Sequence, residues 1–320
     1  MIRILPLIGL LLLSGIAAMW ADRPASSLEQ DQVEVWDLGN GEIEQISYET
    51  PEVSVEISIL RGKKTLYWAK LKKIQPLSEA EFLLSNRFED YLKKFKPLIA
   101  NRVFKQQDAA KLKEFGFDDK IRHFTVKTSQ KVLELETGSK GFGGEFVYAH
   151  ISGKADIWLL SRDMLDDIEN LDARFFEKSF LFSAVDDIKS VEFNSLGKSK
   201  DDRKKIFHKG KDSDGTLGWQ GTEEGQQLAG FKNWFDRFAR LRVVAYAASK
   251  DLQNVHAKLG EKILDVNVEW TSKTEKLEFF ATSENPDSIY IKSSLLNVMP
   301  RISRAKIQPL VDEYVKILNL

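Results

Sequence analysis

The sequence of 320 residues contains no cysteine, which excludes both disulfides and a lipid-modified cysteine. The segment Leu13-Ser14-Gly15-Ile16 has the form of a bacterial lipoprotein signal, but Ile16 stands where the modified cysteine would be. Without disulfides, an exported domain depends on its hydrophobic core alone for stability. A chain of this length can bury such a core and is long enough for two domains.

The chain also lacks an excess of either charge, because 47 Lys and Arg residues face 48 Asp and Glu residues. A nucleic-acid partner would require a clustered basic surface, so this balance argues against one. One basic stretch, Lys198 to Lys205, also contains two aspartates. It indicates a solvated loop, with contact to anionic lipid headgroups as the alternative.

The N-terminal segment is strongly apolar. Arg3 precedes an uncharged run of seventeen residues, Ile4 to Trp20, and Asp22 and Arg23 follow it. This pattern is typical of a cleaved signal peptide or of an uncleaved membrane anchor. Trp20 stands where an interfacial aromatic anchor belongs, and Met19 does not suit cleavage, so we favour the anchor. We expect a single-pass inner-membrane protein whose globular part lies in the periplasm or extracytoplasmic space.

The rest of the chain repeats a set of landmarks in the same order, which indicates a tandem duplication. The matched landmarks are Thr65–Trp68 with Thr216–Trp219, Glu114–Gly116 with Lys258–Gly260, and Tyr148 with Tyr290. Each of these two tyrosines is followed thirteen residues later by a Ser-Arg pair that begins a final helix. We therefore divide the chain into four segments: residues 1–24, the membrane anchor or signal segment; 25–32, a polar tether; 33–184, a first α+β repeat; and 185–320, a second.

Periodicity gives the fold class. Apolar residues alternate in several stretches separated by glycine-containing turns, which predicts strands joined as hairpins. The predicted strands and hairpins include Val53–Leu60, Thr65–Leu71, Asp187–Asn194 and Lys205–Trp219; helices are predicted over Glu79–Phe95 and Phe231–Ala248. Hairpins rather than crossovers favour antiparallel sheets. The predicted class is α+β: two tandem copies of an antiparallel sheet with helices packed on one face, preceded by one membrane segment.

The glycine-rich stretch Thr137 to His150 invites a phosphate-loop interpretation. Such a loop lies between a strand and a helix, whose N-terminus faces the anion. Here the residues that follow, Glu145 to Ile151, alternate like a second strand. The stretch is therefore predicted to be the turn of a hairpin.

Other motifs also lack the partners that their chemistry requires. Asp212-Ser213-Asp214-Gly215 resembles part of a calcium loop, but glycines occupy its first and last ligand positions. The four histidines are not at metal-binding spacing to one another. Ser303 and Lys306 have S-x-x-K spacing, although helix capping explains the serine. We predict no catalytic, cofactor-binding or metal-binding residues.

An aromatic cluster precedes the boundary between the two repeats. Its members are Phe175, Phe176, Phe180 and Phe182. Packing between the two copies is one interpretation. Exposed as a patch, the same side chains would be a candidate docking surface for a partner.

Several stretches are similar to those of a bacterial family known as domain of unknown function 4340. They are Phe115-Gly116-Phe117, Glu145-Phe146-Val147-Tyr148, Asp156-Ile157-Trp158-Leu159-Leu160, the run from Phe175 to Phe182 into Asp187–Glu192, and Asp214-Gly215 before Trp219. The resemblance covers nearly the whole exported part and transfers no catalytic residues. It implies one N-terminal membrane segment, an extracytoplasmic repeat, and association with ABC transporters of the type that includes gliding-motility auxiliary proteins.

These observations lead to two functional hypotheses. The first is a non-catalytic, membrane-anchored extracytoplasmic binding or scaffold protein, an accessory component of an ABC-transporter-type envelope complex that contacts transporter subunits and needs no cofactor. The alternative is an envelope hydrolase with a site assembled between the two repeats, which would hold two convergent titratable groups. Duplication favours the first, because repeated units often form a groove for a partner.

Overall fold

The computed structural model describes residues 32–319, except 40, 62–64, 118–121, 142, 152, 182–184, 195–203, 212–216, 222–228, 248–251 and 297. The predicted membrane segment and nearly all of the predicted tether lie outside the described residues, and so does most of the basic stretch beginning at Lys198. Within the described residues, no helix has the length and apolarity needed to cross a membrane.

The strands follow one another along the chain as β1 Val33–Trp36, β2 Ile43–Glu49, β3 Val53–Leu60, β4 Leu66–Ile74, β5 Leu77–Leu84, β6 Leu98–Ala100, β7 Arg102–Phe104, β8 Arg122–Thr128, β9 Val132–Lys140, β10 Phe146–His150, β11 Ile157–Ser161, β12 Ile188–Asn194, β13 Lys204–Lys211, β14 Leu217–Gly221, β15 Val243–Tyr246, β16 Lys262–Trp270, β17 Thr274–Ala281, β18 Ser288–Ser293 and β19 Pro300–Ser303. The helices are α1 Phe88–Lys93, α2 Ala109–Glu114, α3 Asp163–Glu169, α4 Leu171–Phe175, α5 Ala229–Ala239, α6 Leu252–Ala257 and α7 Arg304–Asn319.

The chain divides into two compact units. Among the described residues, unit 1 consists of those up to Pro51 and of those within Glu89–Glu169, and unit 2 consists of those within Glu52–Phe88 and of those from Asn170 onwards. The predicted repeat boundary between residues 184 and 185 adjoins residues outside the described ranges and stays a prediction.

Unit 1 is built on antiparallel strands in the order β2-β8-β9-β10-β11-β7, with β1 and β6 forming a separate pair. Its core contains Tyr48, Phe95 and Phe124, all fully buried. The rings of Phe95 and Phe124 stack with centroids 5.4 Å apart, so the turn after α1 is held against the sheet.

Unit 2 contains an antiparallel sheet in the order β14-β13-β12-β16-β17-β18-β19-β15. The strands β3, β4 and β5 also belong to this unit and pair antiparallel as two successive hairpins. Helix α5 places its aromatic side chains on the sheet, where Phe231 stacks on Phe207 with centroids 3.7 Å apart. The fold is thus α+β with mostly antiparallel sheets, as the hairpin pattern predicted.

Six strands of one unit correspond in order to six strands of the other. The order β2-β8-β9-β10-β11-β7 matches β12-β16-β17-β18-β19-β15, and both final strands precede a helix. The pairing register of the last hairpin is also the same in the two units. Phe146 lies opposite Ser161 in the β10–β11 pair, and Ser288 lies opposite Ser303 in the β18–β19 pair.

In unit 1, Gly116 has φ of +83°, and a Cβ there would lie 2.7 Å from the backbone nitrogen of Ser139. Only glycine permits that close approach.

The predicted strands are confirmed, including the hairpin at the glycine-rich stretch. Strands β9 and β10 flank that turn, and Gly143 and Gly144 adopt φ of +80° and +77° in it. The helix prediction over Glu79–Phe95 is wrong in its first part, because β5 extends to Leu84 and α1 begins at Phe88. Backbone pairing of β5 with β4 along its whole length outweighed the helical spacing of the apolar residues.

The predicted helix over Phe231–Ala248 is too long, since α5 ends at Ala239 and β15 follows.

Candidate functional site

A groove of about 410 Å³ lies in unit 2 where α5 covers strands β13 and β14. Aromatic and ionisable side chains line it together: Asp186, Lys209, Trp219, Lys232, Phe235 and Asp236. They come from three parts of the chain, namely the single helical turn before β12, the β13–β14 hairpin and the helix. Pairing of the hairpin and packing of the helix therefore create the groove jointly.

The hairpin places a lysine beside an indole. Lys209 of β13 is directly opposite Trp219 of β14 in the antiparallel register, so both side chains lie on the same face of the sheet. The Lys209 ammonium lies 5.7 Å from the centroid of the Trp219 ring. It also donates hydrogen bonds to the carbonyl oxygens of Val185 at 2.9 Å and Asp186 at 3.3 Å. These contacts hold the cation in a fixed place at one side of the groove.

Helix α5 supplies the opposite side. Phe235 packs against Trp219 with ring centroids 4.9 Å apart and is itself buried. One turn of the helix brings Lys232 and Asp236 together, with the ammonium 2.8 Å from a carboxylate oxygen. This i,i+4 ion pair is exposed at the groove rim, where such pairs contribute little to stability. Its side chains are therefore available to adjust to a partner.

The chemistry of the groove suits recognition. Two lysines and two aspartates balance in charge, and each lysine already has an oxygen partner. The indole of Trp219 and the phenyl ring of Phe235 are buried and form an apolar base beneath these polar groups. An aromatic floor with a polar rim is the composition of surfaces that bind an uncharged side chain and its adjoining backbone.

The predicted docking cluster lies elsewhere in unit 2. Phe175 and Phe180 are buried, Phe176 is half-buried, and Phe182 lies outside the described residues. Phe180 packs edge-on against Phe238 of α5 and Phe279 of β17, with centroids 5.1 and 5.9 Å away. Phe175 and Phe180 are thus covered by their own unit, and a docking role for the cluster stays a prediction.

The segment Phe175–Lys178, here called the seam, joins the β3–β5 hairpins to the large sheet of unit 2. On one side, Ser85 donates its backbone N–H to Phe175 O at 2.7 Å, and Glu177 donates to Leu83 O at 2.8 Å. On the other side, the backbone N–H of Val243 in β15 donates to Lys178 O at 2.9 Å. The seam therefore connects β5 to β15 through main-chain hydrogen bonds.

Aromatic rings cover the seam. Tyr246 of β15 contacts Trp68 of β4 edge-on at 5.9 Å and Phe176 at 5.7 Å, while Phe176 also contacts Phe82 of β5 at 5.3 Å. The Tyr246 hydroxyl donates to Glu177 O at 3.0 Å. Burial, and then the negative charge of Glu177, raise the pKa of the Tyr246 phenol well above its ordinary value. Tyr246 is consequently a neutral donor that fixes the seam.

The histidines are dispersed. His150 is buried in unit 1, with its Nε2 3.0 Å from a carboxylate oxygen of Glu136 and its ring against Phe117. His123, His208 and His256 are exposed. Within the described ranges, no three His, Asp or Glu side chains converge where they could hold a metal ion. The His150–Glu136 contact is a pairing between the neighbouring strands β10 and β9.

Comparison with known protein families gives a match. The family model described as "Domain of unknown function (DUF4340)" matches residues 84–262, which is more than half of the chain. The matched residues run from the last residue of β5 to the first residue of β16 and so include the seam and the groove. No curated protein and no solved structure matches the chain.

Proposed function

The chain belongs to the DUF4340 family, and from that premise we propose that it is a non-catalytic, membrane-anchored extracytoplasmic binding and scaffold protein. Its partners are the membrane subunits of an ABC-transporter-type envelope complex, of which it is an accessory component. The N-terminal run Ile4 to Trp20 holds it in the inner membrane, and the folded part lies in the periplasm or extracytoplasmic space.

The groove beside α5 is the observation that carries the binding role. Its ionisable groups are engaged with oxygen partners, and the buried rings of Trp219 and Phe235 lie beneath them. Such a site gains free energy from apolar burial and from hydrogen bonds to a partner's backbone. We infer that a segment of a transporter subunit occupies it.

Tandem duplication explains the architecture. The equal strand orders of the two six-stranded sets support two copies of one ancestral sheet, and so does the shared register at their last strands. Sequence landmarks at corresponding positions support the same origin. A duplicated body offers two related surfaces to an assembly, which suits a scaffold.

Photo-crosslinking from the groove tests this proposal. A photoreactive amino acid replaces Lys232 at the groove rim, and Lys292 on β18, another exposed lysine of unit 2, receives the same replacement as the control. We expect illumination of intact cells to join position 232, and not position 292, to a transporter permease identified by mass spectrometry. Equal adducts from both positions, or no transporter subunit from position 232, would refute the groove as the docking site.

A further inference from the structure

The hairpin between β4 and β5 ends in an exposed apolar tip. Ile74 and Leu77 are directly opposite each other in the register of the two strands. Their exposed fractions are 48% and 78%, the latter the largest among the exposed large hydrophobic residues of the described chain. The turn residues between them, Gln75 and Pro76, are uncharged and exposed. The tip thus presents contiguous apolar surface to its surroundings.

Contacts of the last residues of β4 hold the tip in place. The backbone N–H of Ile74 donates to Glu52 O at 2.9 Å, and the Lys73 ammonium lies 2.9 Å from a carboxylate oxygen of Asp172. Lys72 precedes this pair on β4, is exposed and lies opposite the exposed Glu79 of β5. An apolar end followed by charges of both signs matches the order of layers at a membrane surface, where acyl chains lie beneath charged headgroups.

The length of chain before the described residues keeps the body near the bilayer. Twelve residues separate Trp20, the end of the apolar run, from Val33, the first residue of β1. Fully extended, a linker of that length spans about 40 Å. A chain tethered in this way stays near the bilayer, which raises the effective concentration of membrane surface for a weakly binding tip. This step rests on the proposed function, since it assumes that the apolar run is an anchor.

We propose that the β4–β5 tip inserts into the interfacial layer of the same bilayer that holds the N-terminal run. Ile74, Pro76 and Leu77 enter the boundary between headgroups and acyl chains, and Lys72 contacts lipid phosphates. A short apolar tip alone binds weakly and reversibly, so it orients the anchored body rather than anchoring it. The tip and the N-terminal run then form two points of contact with one membrane.

The cysteine-free chain permits a direct test. Leu77→Cys in the full-length protein carries a single nitrobenzoxadiazole probe, and the protein is reconstituted into vesicles of phosphatidylethanolamine and phosphatidylglycerol. Val244→Cys, at a 56% exposed position of β15 in the same unit, is the matched control. We expect a spin-labelled phospholipid to quench the probe at position 77 several-fold more strongly than the probe at position 244. Adding Ile74→Glu is expected to reduce quenching at position 77 to the control level.

The outcomes separate this inference from the anchoring on which it rests. Carbonate extraction of the same vesicles reports anchoring, because an anchored chain stays with the lipid. Retention without excess quenching at position 77 overturns tip insertion and leaves anchoring intact. A blue-shifted probe that lipid does not quench also overturns it, because the tip then contacts protein, either a second copy or a partner. If carbonate extracts the chain from the vesicles, anchoring is contradicted. If the probe at position 77 is also unquenched in those vesicles, tip insertion is overturned as well.

Discussion

Replacing Phe193 by alanine is expected to lower the free energy of unfolding by about 3–5 kcal/mol, the usual cost of removing a fully buried aromatic ring. Phe193 of β12 has no exposed surface and lies at the centre of the aromatic core of unit 2. Its neighbours are Phe207, Phe231, Trp234 and Tyr314, with ring centroids between 5.0 and 5.8 Å away. These four rings come from one strand and two helices, so no single element can move to fill the cavity.

Urea unfolding followed by tryptophan fluorescence measures this loss, because Trp234 reports on the same core. Phe280→Ala on β17 is the control, since Phe280 is only partly buried and its removal leaves a smaller cavity. We expect the control to cost distinctly less than Phe193→Ala. Equal costs at the two positions would contradict the assignment of Phe193 to the centre of the core. We expect Phe193→Ala to disturb the groove as well. Phe231 in the core and Phe235 in the groove belong to the same helix, α5.

Replacing Tyr246 by alanine is expected to release the seam and to lower the free energy of unfolding by about 3 kcal/mol. The substitution removes the ring between Trp68 and Phe176 and leaves Glu177 O without its hydroxyl donor. Tyr246→Phe keeps the ring and removes only the hydrogen bond, so we expect it to cost about 1 kcal/mol. The difference between the two variants measures the packing contribution.

Amide hydrogen exchange locates the effect. Faster exchange is expected in Tyr246→Ala at Glu177 and Val243, whose N–H groups form the two sides of the seam. Tyr246→Phe should leave these amides close to wild type. If exchange at both sites is unchanged in the alanine variant, Tyr246 does not hold the seam, and the join between β5 and β15 depends on the backbone alone.

Much of the fold follows from local pattern. Alternation and glycine turns predict β3, β4, β12 and the β13–β14 hairpin. In β3, for example, Val55, Ile57 and Ile59 are buried and the residues between them are not. The pattern fails at Glu79–Phe95, where a set of apolar residues read as one helical face spans the end of β5 and the start of α1. Helical spacing of a few apolar residues does not exclude an alternating strand. Pairing with β4, a tertiary interaction, decides between them.

The sites were harder to predict, for reasons that particular residues show. Trp219 and Lys209 are recognisable as a cross-strand pair once the hairpin is predicted, but Phe235 joins them only through the packing of α5. The helix predicted over Phe231–Ala248 includes Tyr246, so the prediction gives neither its place on β15 nor its contact with Phe176. Within the aromatic cluster, Phe176 contacts aromatic rings on both sides of the seam. Sequence gives no distance between segments so far apart in the chain.

The most direct test of the proposed role is in-membrane crosslinking of the full-length, tagged chain, followed by isolation and identification of the proteins that accompany it. An unrelated tagged single-pass protein of the same membrane serves as the control. We predict that the permease and the ATPase of one ABC-type transporter are recovered reproducibly with this chain and not with the control. Recovery of no transporter subunit in repeated isolations would contradict the accessory-subunit role and favour a free binding protein or an envelope hydrolase.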